Sequence, residues 1–251
     1  MAKRAKPKQP KRILVVSCSH GQHINKEAAA QVLRVRHSDE FTSVVHLGDF
    51  IDAQAFMSKN VATGEGEALL DDMREGIQFV NDLAPTCIFL GNHEDRLWRL
   101  WQDSNRELVR FAAGQLIDRI EYMARQLKAE LVPYAGLSNP DSWRLYGGTA
   151  FGHGYLHNVS AARDHAETLG RPVVFGHIHK LVRQPGRTLN APEGISVGCL
   201  CNIPAMSYAK NNRETASWDN GYGIGEYSDN WCNINLKRIK SWQNVQIQQG
   251  Q

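Results

Sequence analysis

Five short apolar runs of the sequence each end in side chains that bind metal ions or transfer protons. Thiol, imidazole, carboxylate and amide groups of this kind are the ligands that proteins offer to transition metals. The groups are Cys18 and His20, Asp49 and Asp52 in GDFID, Asn92 to Glu94 in GNHE, His153 in GHG, and His177 and His179 in GHIH. One histidine beside a strand is weak evidence for a ligand, but five groups at equivalent positions predict a shared metal site.

The apolar runs have the length and composition of β-strands, with helical patterns between the first three of them. They cover residues 13–17, 43–47, 87–90, 149–152 and 173–176. In one intervening segment Leu69, Met73, Ile77 and Val80 recur at spacings of four, four and three. Alternating strands and helices predict an α/β fold with parallel strands, whose carboxyl ends converge on one crevice. The five groups should therefore meet in space.

Later parts of the chain change character. Helical periodicity continues after Asn92 through Phe111 and, beyond Gly114, through Leu127, which predicts a two-helix insertion. From Leu131 the pattern turns to β, with strands expected at 131–134, 143–146, 195–200, 232–236 and 245–247. We expect this half to form a second sheet, and we interpret GYGIGE at 221–226 as a flexible turn and strand.

The order of the polar groups resembles that of the calcineurin-like metallophosphoesterase superfamily. Its pattern is D-x-H, G-D-x-x-D, G-N-H-E/D, a lone H and G-H-x-H. This chain has CSH at 18–20, GDFID at 48–52, GNHE at 91–94, His153 and GHIH at 176–179, so four of five blocks match. The resemblance implies one domain over residues 13–251: a four-layer αββα sandwich of two mixed β-sheets flanked by helices, with the helical insertion at about 94–130.

The resemblance also implies two divalent metal ions bridged by Asp49. The implied ligands are Cys18, His20 and His179 for the first ion, and Asn92, His153 and His177 for the second. One anionic oxygen can serve two cations about 3.5–4 Å apart, and neutral imidazole and amide ligands limit the charge, so that a bridging water stays acidic. The bridging hydroxide would attack phosphorus in line.

The leaving alkoxide needs a proton, and we expect His93 to donate it as general acid. In the superfamily a carboxylate at the position of Asp52 pairs with this histidine, which orients the ring and raises its basicity. Glu94 and Asp95 are expected to support the site or the helix start. The other histidines are expected to be hydrogen-bonded core or surface residues: His23, His37, His46, His157 and His165.

A series of arginines follows the GNHE motif at spacings of three, seven and four: Arg96, Arg99, Arg106 and Arg110. On one helix they would share a face and could hold substrate phosphates or a nucleic-acid backbone. Asp103 lies on the same stripe, which makes a solvated, salt-bridged face the commoner explanation. Arg96 is the best candidate for a contact with the substrate phosphate.

Cys18 departs from the superfamily pattern, which has aspartate at this position. A thiolate beside His20 would favour zinc or iron over magnesium or manganese at the first site. The alternative is that Cys18 packs under the loop and leaves His20, His179 and Asp49 to hold a weaker site. Cys199 and Cys201, alternate residues of a predicted strand, are interpreted as packing residues.

Composition describes an ordinary globular chain. It has 251 residues, 42% of them hydrophobic, and a formal net charge of +3. This net charge is too small to give the protein an overall positive electrostatic field that would attract nucleic acid. The basic residues 1–12 are expected to be a disordered tail, either a solubilising extension or a grip on nucleic acid. No early apolar run is long enough for a membrane span, and five cysteines without a CxxC pair indicate reduced thiols and a cytoplasmic protein.

Three functions follow from these observations. The first is a metal-dependent phosphoesterase that acts on a phosphomonoester or phosphodiester substrate. The second is a nuclease or nucleic-acid phosphatase of the same superfamily, which the basic tail and the arginines would serve. The third is a catalytically weak metal-binding scaffold for a protein partner, like some relatives in membrane trafficking; only Cys18 supports it. The oligomeric state does not follow from the sequence.

Overall fold

The computed structural model describes residues 9–56, 69–206 and 215–240. Two mixed β-sheets pack face to face, and helices cover the outer face of each sheet. This four-layer α/β/β/α arrangement confirms the predicted fold class. In the described part of the chain, no helix combines the length and the apolar character needed to cross a bilayer.

The first sheet has six strands. In spatial order they are β11 (Cys232–Arg238), β10 (Gly221–Tyr227), β1 (Lys11–Val16), β2 (Ser43–His46), β3 (Cys87–Phe89) and β4 (Glu130–Val132). Strands β1 to β4 run parallel, whereas β10 and β11 join as an antiparallel pair at the β1 edge. The carboxyl ends of β1, β2 and β3 therefore lie at the same edge of the sheet.

The second sheet has five strands. In spatial order they are β5 (Arg144–Tyr146), β6 (Thr149–Gly152), β7 (Val173–Phe175), β9 (Gly194–Val197) and β8 (Leu181–Gln184). Its central strands β6, β7 and β9 are parallel, and both outer strands are antiparallel to their neighbours.

Helices fill the outer layers. They are α1 (Lys26–Ser38), α2 (Leu69–Leu83), α3 (Asn92–Asp103), α4 (Glu107–Leu127) and α5 (Ala161–Leu169). The first four cover the first sheet, and α5 covers the second. The start of α1 is fixed by Asn25, whose side-chain oxygen accepts hydrogen bonds from the N–H groups of Glu27 and Ala28.

Alternation along β1 explains how one strand serves two cores. Ile13 and Val15 face the second sheet and join the core between the sheets. Leu14 and Val16 face the other way, onto the helical layer. All four side chains are fully buried, as expected for a central strand covered on both faces.

The two helices after the GNHE motif are present, but the break between them is not at Gly114. The chain leaves α3 at Ser104, whose backbone is extended, and α4 begins after Arg106. Gly114 lies inside α4, where an added Cβ would stand 3.4 Å from the Trp101 ring. That distance is an ordinary van der Waals contact, so Gly114 neither ends a helix nor is required by the packing of α4 on α3. Both helices belong to the connection between the parallel strands β3 and β4.

The sheet assignment of the later strands was partly wrong. Strand β4 and the pair β10 and β11 belong to the first sheet, and GYGIGE is continuous strand within β10. Gly223 pairs with Val15, and an added Cβ there would stand 2.8 Å from Ile234 Cγ2. The glycines thus mark close approach of neighbouring side chains. Local alternation identifies a strand but not the strand that it pairs with.

The predicted basic tail overlaps β1. Lys11 and Arg12 are strand residues, and Arg12 donates a hydrogen bond to Asp39 while its guanidinium lies over the Phe41 ring. Residues 1–8 and the strand expected near 245–247 lie outside the described residues. Among the α-helices and strands of the described residues, the sequence did not indicate α5, which ends at Gly170 in the left-handed conformation, or the edge strand β8.

The packing of α5 can be tested through His165, because this histidine is fully buried and neutral. Its Nε2 accepts hydrogen bonds from the N–H groups of Tyr155 and Leu156, and its Nδ1 donates to the Ala161 carbonyl. Burial lowers its pKa to about 4. Since the unfolded chain binds a proton at about pH 6.5 and the folded chain only near 4, this contribution to stability is lost as pH falls through that window.

We therefore expect the stability advantage of the wild type over His165→Gln to shrink by up to about 1.4 kcal/mol per pH unit below pH 6.5. Urea unfolding between pH 7 and pH 5, with a chelator present, measures it. The exposed neighbour His157→Gln is the matched control. Equal pH dependence in the two variants would contradict the assignment of a neutral, buried His165.

Candidate metal centre

The candidate ligands converge on the edge where the parallel strands of both sheets end. Cys18 and His20 follow β1, Asp49 follows β2, and Asn92 opens α3 directly after β3. From the second sheet, His153 follows β6, and His177 and His179 follow β7. The structure thus brings together all seven residues for which metal binding was predicted.

The first donor group contains Cys18, His20, Asp49 and His179. One ligand atom from each lies within 4.8 Å of the others, and all four residues are buried. Nε2 of His20 and Nε2 of His179 face each other at 3.0 Å. Donation from Nδ1 of His20 to Asp52 at 2.9 Å leaves its Nε2 as the lone-pair nitrogen. Two imidazole nitrogens aimed at one point suit a shared cation.

The second donor group contains Asp49, Asn92, His153 and His177. Asn92 Oδ1 lies 3.1 Å from His153 Nε2 and 2.9 Å from His177 Nδ1. Nδ1 of His153 donates to the Leu47 carbonyl at 2.6 Å, which turns Nε2 toward Asp49 Oδ2 at 3.1 Å. Burial lowers the pKa of His177 to about 3, so this ring is neutral and keeps a lone pair.

Asp49 belongs to both groups, and it is ionised. Burial raises its pKa, but the neighbouring rings of His153 and His93 outweigh that effect and hold the pKa well below its ordinary value. Oδ1 accepts the His93 backbone N–H at 3.1 Å, while Oδ2 faces His153. The two oxygens are therefore oriented by different elements. The two donor sets share Asp49, and the chemistry of their ligands suits divalent cations.

The backbone at the site is unusual. Five of the candidate ligands have left-handed φ angles, between 54° and 64°: Cys18, His20, Asp49, His177 and His179. This conformation is costly for residues with a Cβ and collects at functional sites. Backbone hydrogen bonds hold it here, because Cys18 N–H donates to Gly48 and His20 N–H donates to Asp49, each at 3.0 Å.

Asp52 contacts two histidines. Its Oδ1 lies 2.9 Å from His20 Nδ1 and 3.2 Å from His93 Nδ1. The contact with His93 was expected from the resemblance, whereas the contact with His20 was not predicted. A carboxylate that accepts from the outer nitrogen of a ligand ring fixes the tautomer and orientation of that ring.

His93 lies at the edge of the two groups. Its Nδ1 donates to the Asp52 carbonyl at 2.6 Å, and its Nε2 lies 4.0 Å from Asp49 Oδ2. Burial lowers the pKa of His93, but the negative charges of Asp49 and Asp52 outweigh it and raise the pKa to about 9. The ring is therefore protonated near neutral pH, with Nε2 directed toward the Asp49 carboxylate.

Arg96 is engaged with the protein backbone. Its Nη1 donates to the carbonyls of Asp52 and Ala53, at 3.2 and 3.0 Å. It therefore holds the GDFID loop against α3; contact with a phosphate stays a prediction. The proposed single stripe of arginines was wrong, because the break after Ser104 places Arg106 and Arg110 outside α3.

Glu94 organises the backbone under Asp49. Its Oε2 accepts the N–H groups of Gly91 at 2.7 Å and Asp49 at 2.9 Å, and its Oε1 accepts that of Ile51 at 3.0 Å. A Cβ at Gly91 would stand 2.1 Å from Asp49 Oδ1, so only glycine fits between the two loops. This geometry matches the supporting role expected for Glu94.

Asp72 is a functional residue that sequence reasoning missed. From the buried face of α2 it accepts the N–H groups of Asp52 and Ala53 at distances between 2.9 and 3.1 Å. It thereby fixes the loop that carries Asp52. The sequence does contain a sign of this role. Asp72 lies four positions before Gly76 and seven before Phe79, so it is an acidic residue on the apolar face of an amphipathic helix.

Cys18 faces two environments. Its sulfur accepts the His177 N–H at 3.3 Å and lies 2.9 Å from the Ser17 hydroxyl. The residue belongs to the first donor group and also to a cluster of buried sulfur-containing side chains: Cys18, Cys199, Cys201 and Met206. Burial, and then the charge of Asp49, raise the pKa of its thiol.

Comparison with known proteins identifies the family. A family model described as calcineurin-like phosphoesterase matches residues 11–181. The chain belongs to the calcineurin-like phosphoesterase family. It is thus a metallophosphoesterase, a hydrolase of phosphoester bonds, and its buried clusters of histidine, aspartate and cysteine are consistent with divalent metal binding. Comparison with curated proteins gives no significant sequence match.

Solved structures similar to this calcineurin-like phosphoesterase are distant from it in sequence. A metallophosphoesterase from Sphaerobacter thermophilus is 17% identical over 96% of this chain and 94% of its own, with a TM-score of 0.48. A predicted phosphoesterase from Streptococcus pneumoniae is 14% identical over 92% and 91%, with a TM-score of 0.38. A Vps29 mutant from Entamoeba histolytica is 11% identical over 91% and 99%, with a TM-score of 0.40.

The Glu94→Gln variant tests the supporting carboxylate. The amide would turn one NH₂ group toward a backbone N–H that Glu94 now accepts, leaving facing donors in a buried site. We expect a loss of about 1–3 kcal/mol in unfolding free energy and metal affinity about 10–100-fold weaker, measured by urea unfolding and calorimetry. Asp95→Asn, which breaks only the partly exposed pair with Arg99, should change stability by less than about 1 kcal/mol. Similar losses in both variants would contradict the role of Glu94.

Proposed function

We propose that this calcineurin-like phosphoesterase hydrolyses a phosphomonoester or phosphodiester at a centre of two divalent cations. The first cation would be held by Cys18, His20 and His179, the second by Asn92, His153 and His177, with Asp49 between them. The observation that carries this proposal is that Asp49 belongs to both donor groups, with Oδ2 facing His153 of the second group. When bound, the cations supply Lewis-acid polarisation of phosphoryl oxygens and an acidified water.

His93 would donate a proton to the leaving group. It is protonated near neutral pH, and contacts of Nδ1 with Asp52 orient the ring. The proton would come from Nε2, the ring nitrogen that faces Asp49. Asp52 would act as a positioning residue, because it also orients His20. Arg96 would hold the loop that carries Asp52 and stays a candidate for contact with a substrate phosphate.

Metal stoichiometry tests the dinuclear arrangement independently of turnover. Elemental analysis of reconstituted protein should give at least two ions per chain for the wild type and one ion fewer for Asn92→Ala, which removes a donor from the second group only. The exposed Asn81→Ala variant is the matched control and should bind as many ions as the wild type. A wild-type content of one ion, or an unchanged content in Asn92→Ala, would contradict the assignment. Hydrolysis of a chromogenic monoester, a chromogenic diester and single-stranded DNA then separates phosphatase, phosphodiesterase, nuclease and scaffold.

The His93→Asn variant tests the general acid. We expect kcat to fall about 10²- to 10⁴-fold with an unchanged metal content, because the variant removes the proton donor and leaves the donor groups intact. The wild-type kcat should fall as pH rises through the pKa of His93, and this limb should be missing in the variant. The loss should also be smaller for substrates with good leaving groups. A uniform loss across leaving groups would contradict proton donation.

The Cys18→Asp variant tests the sulfur ligand. If the thiolate binds the first ion, reconstitution in an equimolar zinc and manganese mixture should shift metal content toward manganese, because sulfur favours the softer ion. Cys18→Ala should weaken the first site without that shift. Unchanged selectivity and occupancy in both variants would show that Cys18 only packs.

A further inference from the structure

A second sulfur-rich donor cluster lies next to the first donor group. Cys199 and Cys201 are fully buried and two residues apart in an extended segment that follows β9. In such a segment alternate side chains share one side. Both thiols pack with Cys18 and Met206, whereas Leu200 between them packs against the helical layer. The two sulfurs therefore face the same way, toward the proposed centre.

The backbone that carries these thiols is fixed from several sides. The Asn220 amide donates to the carbonyls of Cys199 and Cys201, at 3.2 and 2.9 Å. The Leu200 N–H donates to the Cys18 carbonyl at 3.1 Å, which ties the segment to the loop after β1. The positions of both sulfurs are thus set by the same framework as the proposed metal ligands. A framework of this kind lowers the entropic cost of assembling a ligand set.

His179 joins this cluster to the centre. One of its ring nitrogens lies within 4.8 Å of both the Cys199 and the Cys201 sulfur. Nε2 faces His20, whereas Nδ1 has no hydrogen-bond partner among the described residues, although the side chain is only 3% exposed. A buried polar nitrogen without a partner is unfavourable, so Nδ1 is available for a ligand that a ring next to two thiols could help to bind.

We propose that Nδ1 of His179 and the sulfurs of Cys199 and Cys201 form a third metal site, which takes one thiophilic cation such as Zn²⁺. Each thiol releases its proton to solvent as its sulfur binds, and the two thiolates neutralise the charge of the cation. When Nε2 of His179 also binds a cation, the ring releases its remaining N–H proton to solvent and would bridge the two cations as imidazolate. One imidazole and two thiolates are a ligand set of the kind that zinc uses. The fourth position is open to water or to a nearby side chain.

The site shares His179 with the centre of the proposed function, but it does not rest on hydrolysis. A cation on Nδ1 would orient the imidazole and take the place of the ring proton, which would make Nε2, the nitrogen that faces the first donor group, a stronger donor. Occupation of the third site would therefore tune the first cation through a single ring. The clustered cysteines, which the sequence suggested are packing residues, would then have a chemical role.

Cobalt binding tests the proposal with a spectroscopic signal. The metal-free full-length protein is titrated with Co²⁺ under reducing conditions, and the ultraviolet charge-transfer band of cobalt thiolates is recorded with the number of ions bound. The wild type should develop the band. The Cys199→Ser, Cys201→Ser double variant should bind one ion fewer and lose the part of the band that its two sulfurs give. The buried but distant Cys87→Ser should match the wild type in both measurements.

Cys18→Ser separates the third site from the first. We expect it to retain the contribution of Cys199 and Cys201 to the band. Loss of the whole band in Cys18→Ser, or an unchanged band and stoichiometry in the double variant, would overturn the proposal. If the wild type shows the band but does not hydrolyse any phosphoester, only the proposed function is refuted. Phosphoester hydrolysis with two bound ions and no contribution from Cys199 and Cys201 refutes only the third site.

A measurement on the wild type covers the case in which the double variant does not fold. Slow alkylation of the full-length protein, mapped by mass spectrometry, reports how often each thiol becomes accessible. Zn²⁺ should slow the labelling of Cys199 and Cys201 by at least tenfold relative to Cys87. Equal slowing at all three positions would reflect general stabilisation and would contradict the site.

Discussion

The constraint on which the site depends is the placement of one carboxylate, Asp49, among two sets of donors that share it. The residue must be ionised although it is buried, and neighbouring histidine rings make that state favourable. Its backbone is left-handed, its N–H is held by Glu94, and its Oδ1 is held by the first turn of α3. Each element nearby can be understood by what it adds to this placement: strand β2 delivers the residue, and Gly91 makes room for it.

Much of this could be predicted from the sequence, because the donors follow strands directly. A polar residue at the end of a buried run has its position fixed by the strand, so the convergence of His20, Asp49 and Asn92 followed from the parallel topology of the first sheet. His177 follows a strand of the second sheet, so its approach to them also depends on how the two sheets pack. The partners of those residues did not follow. That Asp52 contacts His20, and that Asp72 accepts from the loop that carries Asp52, depends on how α2 lies over the sheet.

The errors have a common physical origin. The pattern of β10 shows that it is a strand, but its pairing with β1 depends on long-range register and on glycines that let neighbouring side chains approach. The end of α3 at Ser104 was hidden, because charged residues on both sides of it are compatible with a continuing helix. Cys199 and Cys201 look like packing residues along the chain, and only the tertiary fold puts them beside His179.

One feature of the architecture gives the centre a mechanical role. His20 and His179 stand 159 positions apart and enter from different sheets, yet their ring nitrogens meet at 3.0 Å. A metal ion bound by both rings would cross-link the two β-sheets. Separating the sheets would then require breaking coordination bonds as well as exposing the apolar layer. With metal bound, the edge where the parallel strands of both sheets end is therefore the place at which the two sheets are hardest to separate.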